Sequence, residues 1–593
     1  MSIRRMTTRT GLVFGLLLTL SSCDAGRSAS PGADTTAPAD TRIEPRYATE
    51  FTKVVIDPET PATVQLAVQA CAGLYNRRLG GSVYTRAEDN DDRWLAELDL
   101  TPSETVAAKA FLDACLVEFP TCLRYAYDAQ RTLLPSILTV GAVLGAVPLD
   151  VDLDVACGEV VFDATVEFAG ADTPALATEH AAEVCLAETT GLAMLNPGYE
   201  INAPDLAAPD ITRDMPSALV DYVYLRKLFV VFLVNGCDVG HEENLVLQAT
   251  VDAAPWETPL GVFGYNNSWL IGGYMHEAQT HCLESRNMGA IPTETQNLSF
   301  FSSRRDPITD TTELKHNPRQ EITCDPAKTY VAFVIGDGDN VRFIMSTRNV
   351  WLQQRLEDCA REENSCAPIT WSISPHLPHL APDVLEWYYE KARSTGNDYF
   401  VLPPSGHFYA YPGSLNEKDG DRFVASTEAD AALLGITGTV HWEWLDAWAD
   451  VETDFLPRYA KVGGAIRGIF PINVPYMFPA FPWWEEGDFY RVLEGGDGGE
   501  VVVFRPRQWR GIHGEGQGLD EPFYLTPEEM AAELGAYPPG TVTWVYLTSD
   551  GGLSLENSFM ELVNLLPDHV ELVSADAAAA LALQATAWGS PSD

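Results

Sequence analysis

Two periodicities alternate along this chain. Some stretches repeat apolar residues at helical spacing, and others are short continuous apolar runs bounded by turn residues. Between 46 and 150 the two are mixed. Val64 to Tyr75 has helical spacing, Gly80-Gly81 breaks it, and Ser82-Val83-Tyr84-Thr85 reads as a strand. Asp91-Asp92-Arg93-Trp94-Leu95 opens another helix. Leu133 to Val147 includes Pro135 and is too short to span a bilayer, so it predicts a core helix. From 151 to 323 the style repeats. Thr178 to Leu195 and Leu219 to Asn235 read as helices around a Pro-containing loop at 197–216.

From Cys324 the rhythm becomes regular. Apolar runs at Tyr330–Ile335, Ile369–Ser374, Tyr399–Leu402, Thr439–Leu445, Ile466–Ile472, Val501–Phe504, Thr541–Leu547 and His569–Val573 predict strands. Helical spacing follows near 341–358, 382–395 and 452–462, and Thr526-Pro527-Glu528-Glu529 carries an N-cap and a first-turn Pro. Buried strands alternating with helices imply a parallel sheet. The expected fold class is therefore α/β: a (β/α)8-like, TIM-type barrel over 324–593, preceded by mixed α/β N-terminal domains at 46–150 and 151–323. An open doubly wound sheet is the alternative. Gly495–Gly499 and Arg510–Gly518 lack phosphate-loop spacing and read as mobile loops, with a lid as one use.

The first 23 residues read as an address. Arg4, Arg5 and Arg9 precede an apolar stretch from Thr10 to Leu20, and Leu20-Ser21-Ser22-Cys23 resembles the lipobox of bacterial lipoproteins. Lipidation at Cys23 would place the protein in the bacterial cell envelope, periplasmic or surface-facing, touching membrane only through that anchor. Residues 24–45 are rich in Ser, Ala, Pro, Thr and Asp and read as a disordered tether. Setting Cys23 apart from the 11 cysteines leaves an even number, which fits up to five disulfides in an exported protein. Cys359/Cys366 and Cys115/Cys122 are candidate short-loop bridges, and Cys324 could tie a domain junction. No CxxC or paired Cys/His spacing suggests a structural metal.

Charge narrows the function classes. The chain has 38 Lys and Arg against 84 Asp and Glu, a formal net charge of −46. Nucleic-acid recognition depends on clustered cations, so a nucleic-acid partner is not expected. With 46% hydrophobic residues the chain has ample material for packed cores. In a barrel the site forms at the C-terminal strand ends. Those ends carry Asp337, Asp339 and Asn340, then Ser374 and His376, then Ser405, His407, Tyr409 and Tyr411. Next come His441, Trp442, Glu443, Trp444 and Asp446, then Asn473, and finally Asp550.

Glycoside hydrolysis needs two carboxyls about 5–5.5 Å apart for retention or about 6.5–9.5 Å apart for inversion. Asp337 and Asp339 lean to one side if the backbone is extended, so the second carboxyl is expected from Glu443 or Asp550. These four are the candidate catalytic residues. An Asx-type turn, or a divalent cation at Asp337/Asp339, would use the first pair differently; otherwise no cofactor is expected. Phe408, Tyr409 and Tyr411 suit stacking on sugar rings or packing on the barrel rim. Asn340, Ser405, His407, Tyr409, Tyr411 and Trp442 are the candidate substrate-binding residues. Phe481-Pro482-Trp483-Trp484-Glu485-Glu486 is a subsite or a packing plug. Pro403-Pro404-Ser405-Gly406 lacks the GxSxG frame of a serine hydrolase.

Gly406-His407-Phe408-Tyr409-Ala410-Tyr411-Pro412 resembles the signature of the GxGYxYP family of putative glycoside hydrolases. Asp337-Gly338-Asp339-Asn340, Asn297-Leu298-Ser299, Ala70–Arg78 and Asp92–Leu95 are similar to other parts of that family, so the resemblance runs over roughly 50–590. It departs at Phe408, where the motif has Gly and a glycine-only turn would be strained. The resemblance implies an exported protein with a barrel-like C-terminal domain and a carbohydrate substrate. Together with the carboxylates it points to a lipoprotein that hydrolyses poly- or oligosaccharides by general acid/base chemistry. A non-catalytic glycan-binding lipoprotein and a cation-dependent carbohydrate hydrolase are the alternatives.

Overall fold

The computed structural model describes residues 47–87, 91–195, 218–233, 235–264, 287–293, 295–361, 366–474, 481, 483–509, 525–547 and 558–587, without the side chains of 445, 473, 474 and 587. Cys23, the 24–45 tether, the 510–518 loop, Asp550 and the Asn473 side chain lie outside the described residues. Pro45–Asp593 forms one compact unit.

Parallel pairing dominates throughout. β1 (Thr52–Val55) lies between β2 (Val83–Arg86) and β3 (Glu104–Ala107). β4 (Thr121–Tyr125) lies between β5 (Val147–Asp150) and β6 (Glu159–Asp163). β7 (Leu192–Met194), β8 (Phe229–Val231), β9 (Leu260–Phe263) and β10 (Met288–Ile291) form a third sheet in the order β10-β9-β7-β8. Two of these strands fall where helices were expected. The Pro174–Cys185 helix ends before β7, and the Val220–Arg226 helix ends before β8. Lys227, left-handed at φ 55°, stops the second helix. The run Phe229-Val230-Val231 then pairs into the sheet, because β-branched and aromatic side chains pack well on a pleated surface.

The C-terminal half is built on β11 (Thr329–Ile335), buried at all seven positions. Such a strand is covered on both faces, which explains its continuous apolar run. It pairs in parallel with β12 (Ile369–Ser372) at its C-terminal end, and β12 pairs with β13 (Asp398–Val401). A second sheet follows: β14 (Gly438–Trp444), β15 (Gly468–Val474), β16 (Tyr490–Glu494) and β17 (Glu500–Phe504), in the order β14-β15-β17-β16. β18 (Gln508–Trp509) pairs with β19 (Val542–Leu547), which pairs along β11 from Tyr330 to Ile335. β20 (Val570–Val573) pairs with the N-terminal half of β11. A parallel bridge from Leu402 to Thr439 joins the two sheets. The fold is thus mixed α/β with parallel sheets.

The expected strands and the Pro382–Thr395 helix appear where the pattern put them. The expected 452–462 helix is a series of short turns instead, from Trp448 to Tyr459. The glycine run 495–499 is the tight turn of the β16–β17 hairpin, closed by Gly498 N–H donating to Gly495 O at 3.1 Å. Disulfides join Cys71–Cys115, Cys122–Cys157 and Cys359–Cys366, and Cys237 is also disulfide-bonded. The expected Cys115–Cys122 bridge is absent. Cys115 faces the Ala62–Arg78 helix, while Cys122 lies on the next strand and faces the 157 loop. Cys324 is a buried thiol.

The Gly406–Pro412 segment fastens the two halves. Ala290 of β10 and Tyr409 exchange backbone hydrogen bonds, both 3.0 Å. Phe408 seats its ring over two glycines: a Cβ on Gly261 would lie 2.7 Å from Phe408 Cε1, and one on Gly289 would lie 2.5 Å from its Cβ. The left-handed position is Gly406, at φ 97°, so Phe408 carries none of the strain expected from its departure. Phe408→Ala should lower the unfolding free energy by about 3–5 kcal/mol in a denaturant titration. An unchanged midpoint would mean that this seat contributes nothing.

Candidate active site

The turn leaving β11, Gly336-Asp337-Gly338-Asp339-Asn340, is fixed from below. A Cβ on Gly336 would sit 1.7 Å from the Tyr546 hydroxyl, so only glycine admits that ring. Asp337 N–H donates to Tyr546 Oη at 3.2 Å, and that hydroxyl lies 3.4 Å from Asp337 Oδ1. Gly338 N–H donates to Ser372 Oγ at 2.9 Å, and Ser372 donates onward to Ile335 O at 2.7 Å. Asn340 Oδ1 accepts from Phe343 N–H at 3.0 Å, so this candidate substrate ligand serves as a helix cap. Asp337 has φ 57°. An aspartate held left-handed is uncommon and concentrates at functional turns. The chain is therefore not extended here, and alternation does not force Asp337 and Asp339 to one side.

Electrostatics separates Asp339 from ordinary surface acids. Its side chain keeps partial exposure. Surrounding protein nevertheless desolvates its carboxyl, and the Asp337 charge adds to this, lifting its pKa to about 8. Arg348 lies beside the pair and is 1% exposed. Its guanidinium stands 5.4 Å from the Phe343 ring, 5.6 Å from Trp351 and 5.8 Å from Trp371. Its Nε and Nη2 have no hydrogen-bond partner among the described residues. Burial lowers the Arg348 pKa, and Asp337 is the strongest opposite charge acting on it. A π-turn at Ile344–Arg348 delivers this side chain, and the displaced carbonyls of Ile344 and Met345 accept from Tyr388 and Trp94, both at 2.6 Å. Arg348 was missed in the sequence reading, yet a signal existed. Val341, Ile344, Met345 and Leu352 form an apolar helical stripe, and Arg348 falls on it.

The other candidates occupy a wall rather than an open cleft. Ser405 is fully buried, donating to Ala410 O and accepting from Trp442 N–H, both at 2.7 Å. Tyr409, Tyr411 and Trp442 are 6%, 0% and 4% exposed. Tyr409 meets Trp442 at 5.2 Å between ring centroids, and Tyr411 meets Trp444 at 5.6 Å. Their faces are spent on one another. Glu443 is also fully buried: Oε1 accepts from Gly413 N–H at 2.6 Å and lies 3.2 Å from His441 Nε2. Glu443 Oε2 has no hydrogen-bond partner among the described residues. Of the aromatic-acidic loop, Phe481 and Trp484 are buried as a plug while Trp483 stays exposed, and Glu452 takes the indole N–H groups of Trp483 at 2.7 Å and Trp484 at 3.0 Å.

His407 keeps partial exposure, and its Nδ1 lies 2.6 Å from Asp430 Oδ2. An Nδ1–H donated to Asp430 leaves Nε2 as the basic nitrogen. Asp430 belongs to the Glu417–Leu434 helix, which was not expected from the sequence. His376 Nε2 sits 2.7 Å from His407 O, its ring stacks 5.7 Å from Phe408, and burial lowers its pKa to about 3. His376 is therefore neutral.

Most of the residues just described fall within one recognisable segment. Residues 327–471 match the GxGYxYP putative glycoside hydrolase C-terminal domain. That span holds the Gly336–Asn340 turn, the Gly406–Pro412 segment and Glu443. The whole fold is similar to the crystal structure of a putative hydrolase from Bacteroides thetaiotaomicron, with a TM-score of 0.66 and 18% identity over 91% of this chain and 95% of that one. A 4-alpha-glucanotransferase from Thermococcus litoralis aligns over 43% of this chain and 40% of its own at 14% identity, and its TM-score of 0.28 is too low to indicate a shared fold. No curated protein matches the sequence.

The Asp339 environment makes a stability prediction. Its folded pKa of about 8 lies above the usual 3.8, so the unfolded chain releases the proton first as pH rises. Stability from protonated Asp339 is full below about pH 4 and is lost on the way to pH 8. Asp339→Asn, which mimics the protonated form, should match the wild type near pH 4 and exceed it at pH 7. One pKa unit is worth about 1.4 kcal/mol, so the gain is bounded by about 4 kcal/mol and reduced by partial exposure. Thermal unfolding across pH checks this, and parallel curves would contradict it.

Proposed function

We propose that this protein hydrolyses glycosidic bonds at the Gly336–Asn340 turn. Asp339 acts as the general acid that protonates the leaving oxygen, and Asp337 as the carboxylate that activates water or attacks the sugar. The observation that carries this reading is the turn itself. It holds two carboxylates in unlike environments, one desolvated and one bonded to Tyr546, at the C-terminal end of the central strand. Environments that push two acids apart in pKa are what acid/base division of labour requires. The match of residues 327–471 to a glycoside hydrolase domain favours a carbohydrate substrate.

The sheet pairings support a barrel of TIM type. β17 and β18 lie on one short stretch, with β17 on β15 and β18 on β19. Tyr546 N–H donates to Arg507 O at 2.7 Å and Trp544 Nε1 to Arg505 O at 3.1 Å across that stretch. In this reading the two C-terminal sheets are arcs of one ring, with β20 wedged beside β11. His407, oriented by Asp430, lines the same strand-end edge as a hydrogen-bonding group. Glu443 anchors the loop at Gly413 rather than touching substrate, and Ser405, Tyr409, Tyr411 and Trp442 hold the wall behind it. Asp550 remains a candidate second catalytic carboxyl, and Asn340 a candidate sugar contact. The cysteine at 23 serves as a lipid anchor in the cell envelope.

Asp339→Asn and Asp337→Asn should each lower kcat/KM on a cleaved oligosaccharide by about 10²–10⁴-fold. Because Asp339→Asn is expected to be more stable at pH 7, its loss of activity would not be unfolding. Wild-type rates in both variants would reject the reading. In this acid/base mechanism turnover should survive a chelator. Chelator-sensitive turnover would favour a cation at Asp337/Asp339, and tight oligosaccharide binding without turnover would favour a glycan-binding protein.

A further inference from the structure

The helix that follows the Asp337/Asp339 turn is fastened at two points by residues from far earlier in the chain. Val341 N–H, at its first position, donates to Pro292 O just beyond β10 at 2.9 Å. Further along, Met345 O accepts from Trp94 Nε1 of the Asp92–Glu97 helix at 2.6 Å. Neither Pro292 nor Trp94 belongs to the C-terminal half. Trp94 is buried, and its ring meets Trp387 at 5.3 Å and Tyr388 at 6.3 Å between centroids. Glu97 secures the same short helix, accepting from Trp387 Nε1 at 2.9 Å and from Gln353 Nε2.

The Met345 contact falls inside the Ile344–Arg348 π-turn. A π-turn takes carbonyls off the α-helical ladder, and a buried carbonyl left without a donor is costly. Tyr388 supplies one donor from the C-terminal half, and Trp94 supplies the other across the junction. Each residue advances a helix by about 100°, so loss of the inserted residue would swing Arg348 round relative to the Gly336–Asn340 turn by about that angle. Arg348 is the cation that acts on Asp337 and Asp339. Burial lifts the Asp339 carboxyl to about 8, the Asp337 charge adds to this, and the Arg348 charge opposes it. Tyr546 also faces Asp339, and burial keeps its phenol neutral well beyond the ordinary tyrosine range.

We propose that Trp94 is a positioning residue for the Gly336–Asn340 turn: it keeps the π-turn open, the π-turn keeps Arg348 against the two aspartates, and the site is incomplete without the N-terminal region. Pro292 fixes where the helix starts, and Trp94 fixes the phase in which it continues. The consequence for turnover rests on reading this turn as the catalytic one, whereas the consequence for the Asp339 carboxyl does not.

The test follows the protonated Asp339 carboxyl in the full chain by its infrared C=O band, assigned by its loss in Asp339→Asn, over about pH 5 to 10. Trp94→Phe keeps an aromatic ring and removes the N–H donor. It should raise the titration midpoint by about one unit as Arg348 swings away, because a nearby opposite charge holds a carboxyl down by that order. Trp387→Phe is the control. It loses the bond to Glu97 at the same junction but leaves Met345 O bonded, so the midpoint should stay. A cooperative unfolding transition confirms that each variant is folded. The inference is overturned if Trp94→Phe leaves the midpoint in place, or if Trp387→Phe raises it equally. The alkaline limb of kcat/KM on a cleaved oligosaccharide should move with the carboxyl in Trp94→Phe. A carboxyl shift in a protein that cleaves no oligosaccharide would reject the glycosidase reading and leave Trp94 its role. Cleavage with an unmoved carboxyl would reject the role of Trp94 alone.

Discussion

A buried cation beside two aspartates governs the C-terminal half of this molecule. Taking a guanidinium out of water costs several kcal/mol unless an opposite charge faces it. Arg348 has three aromatic rings within 6 Å and two donor nitrogens without partners among the described residues. Its compensation is therefore the negative charge of the turn after β11, chiefly Asp337. That requirement reaches outward. Asp337 must hold a left-handed backbone, Gly336 must stay bare above Tyr546, and the helix after the turn must open into a π-turn to bring the arginine round. Two carboxylates and one cation make an arrangement in which one proton is retained, and Asp339 is the residue whose surroundings retain it.

The Gly406–Pro412 segment does a different job from the one its aromatic residues suggest. Flat rings beside a strand end read as a sugar platform. Here they are buried: Phe408 caps the β9–β10 edge, Tyr409 extends it by a backbone bridge, and Tyr411 packs on Trp444. The residue of this segment that keeps an exposed polar end is His407, and Asp430 aims it. The conspicuous part of the motif thus joins two halves of the protein, while the inconspicuous part faces the edge where chemistry is proposed.

Strands of the C-terminal half were legible because parallel strands buried on both faces leave an unbroken apolar signature, as in Tyr330–Ile335. β7 and β8 were hidden because short apolar segments fit a helix and a buried strand equally well. The arrangement of Asp337 and Asp339 was misjudged for a local reason: a pattern argument assumes extended backbone, and one left-handed residue removes that assumption. Arg348 and Asp430 were missed because their importance lies in contacts across the fold. Arg348 alone left a trace, as a charge on an apolar helical stripe. The burial of Glu443 was equally invisible, since alternation assigns a residue to a face but does not say that both faces are covered.

The Phe408 seat ties three positions to one volume. A phenyl ring occupies the space above Gly261 and Gly289, and those glycines leave it room. The motif this segment resembles has glycine where Phe408 stands, which would leave that volume empty. Relatives that keep the glycine should then fill it from the strand side, with larger residues at the positions of Gly261 and Gly289. Substitution at any one of the three would be constrained by the other two, so the signature's variable position and two distant strand residues should change together.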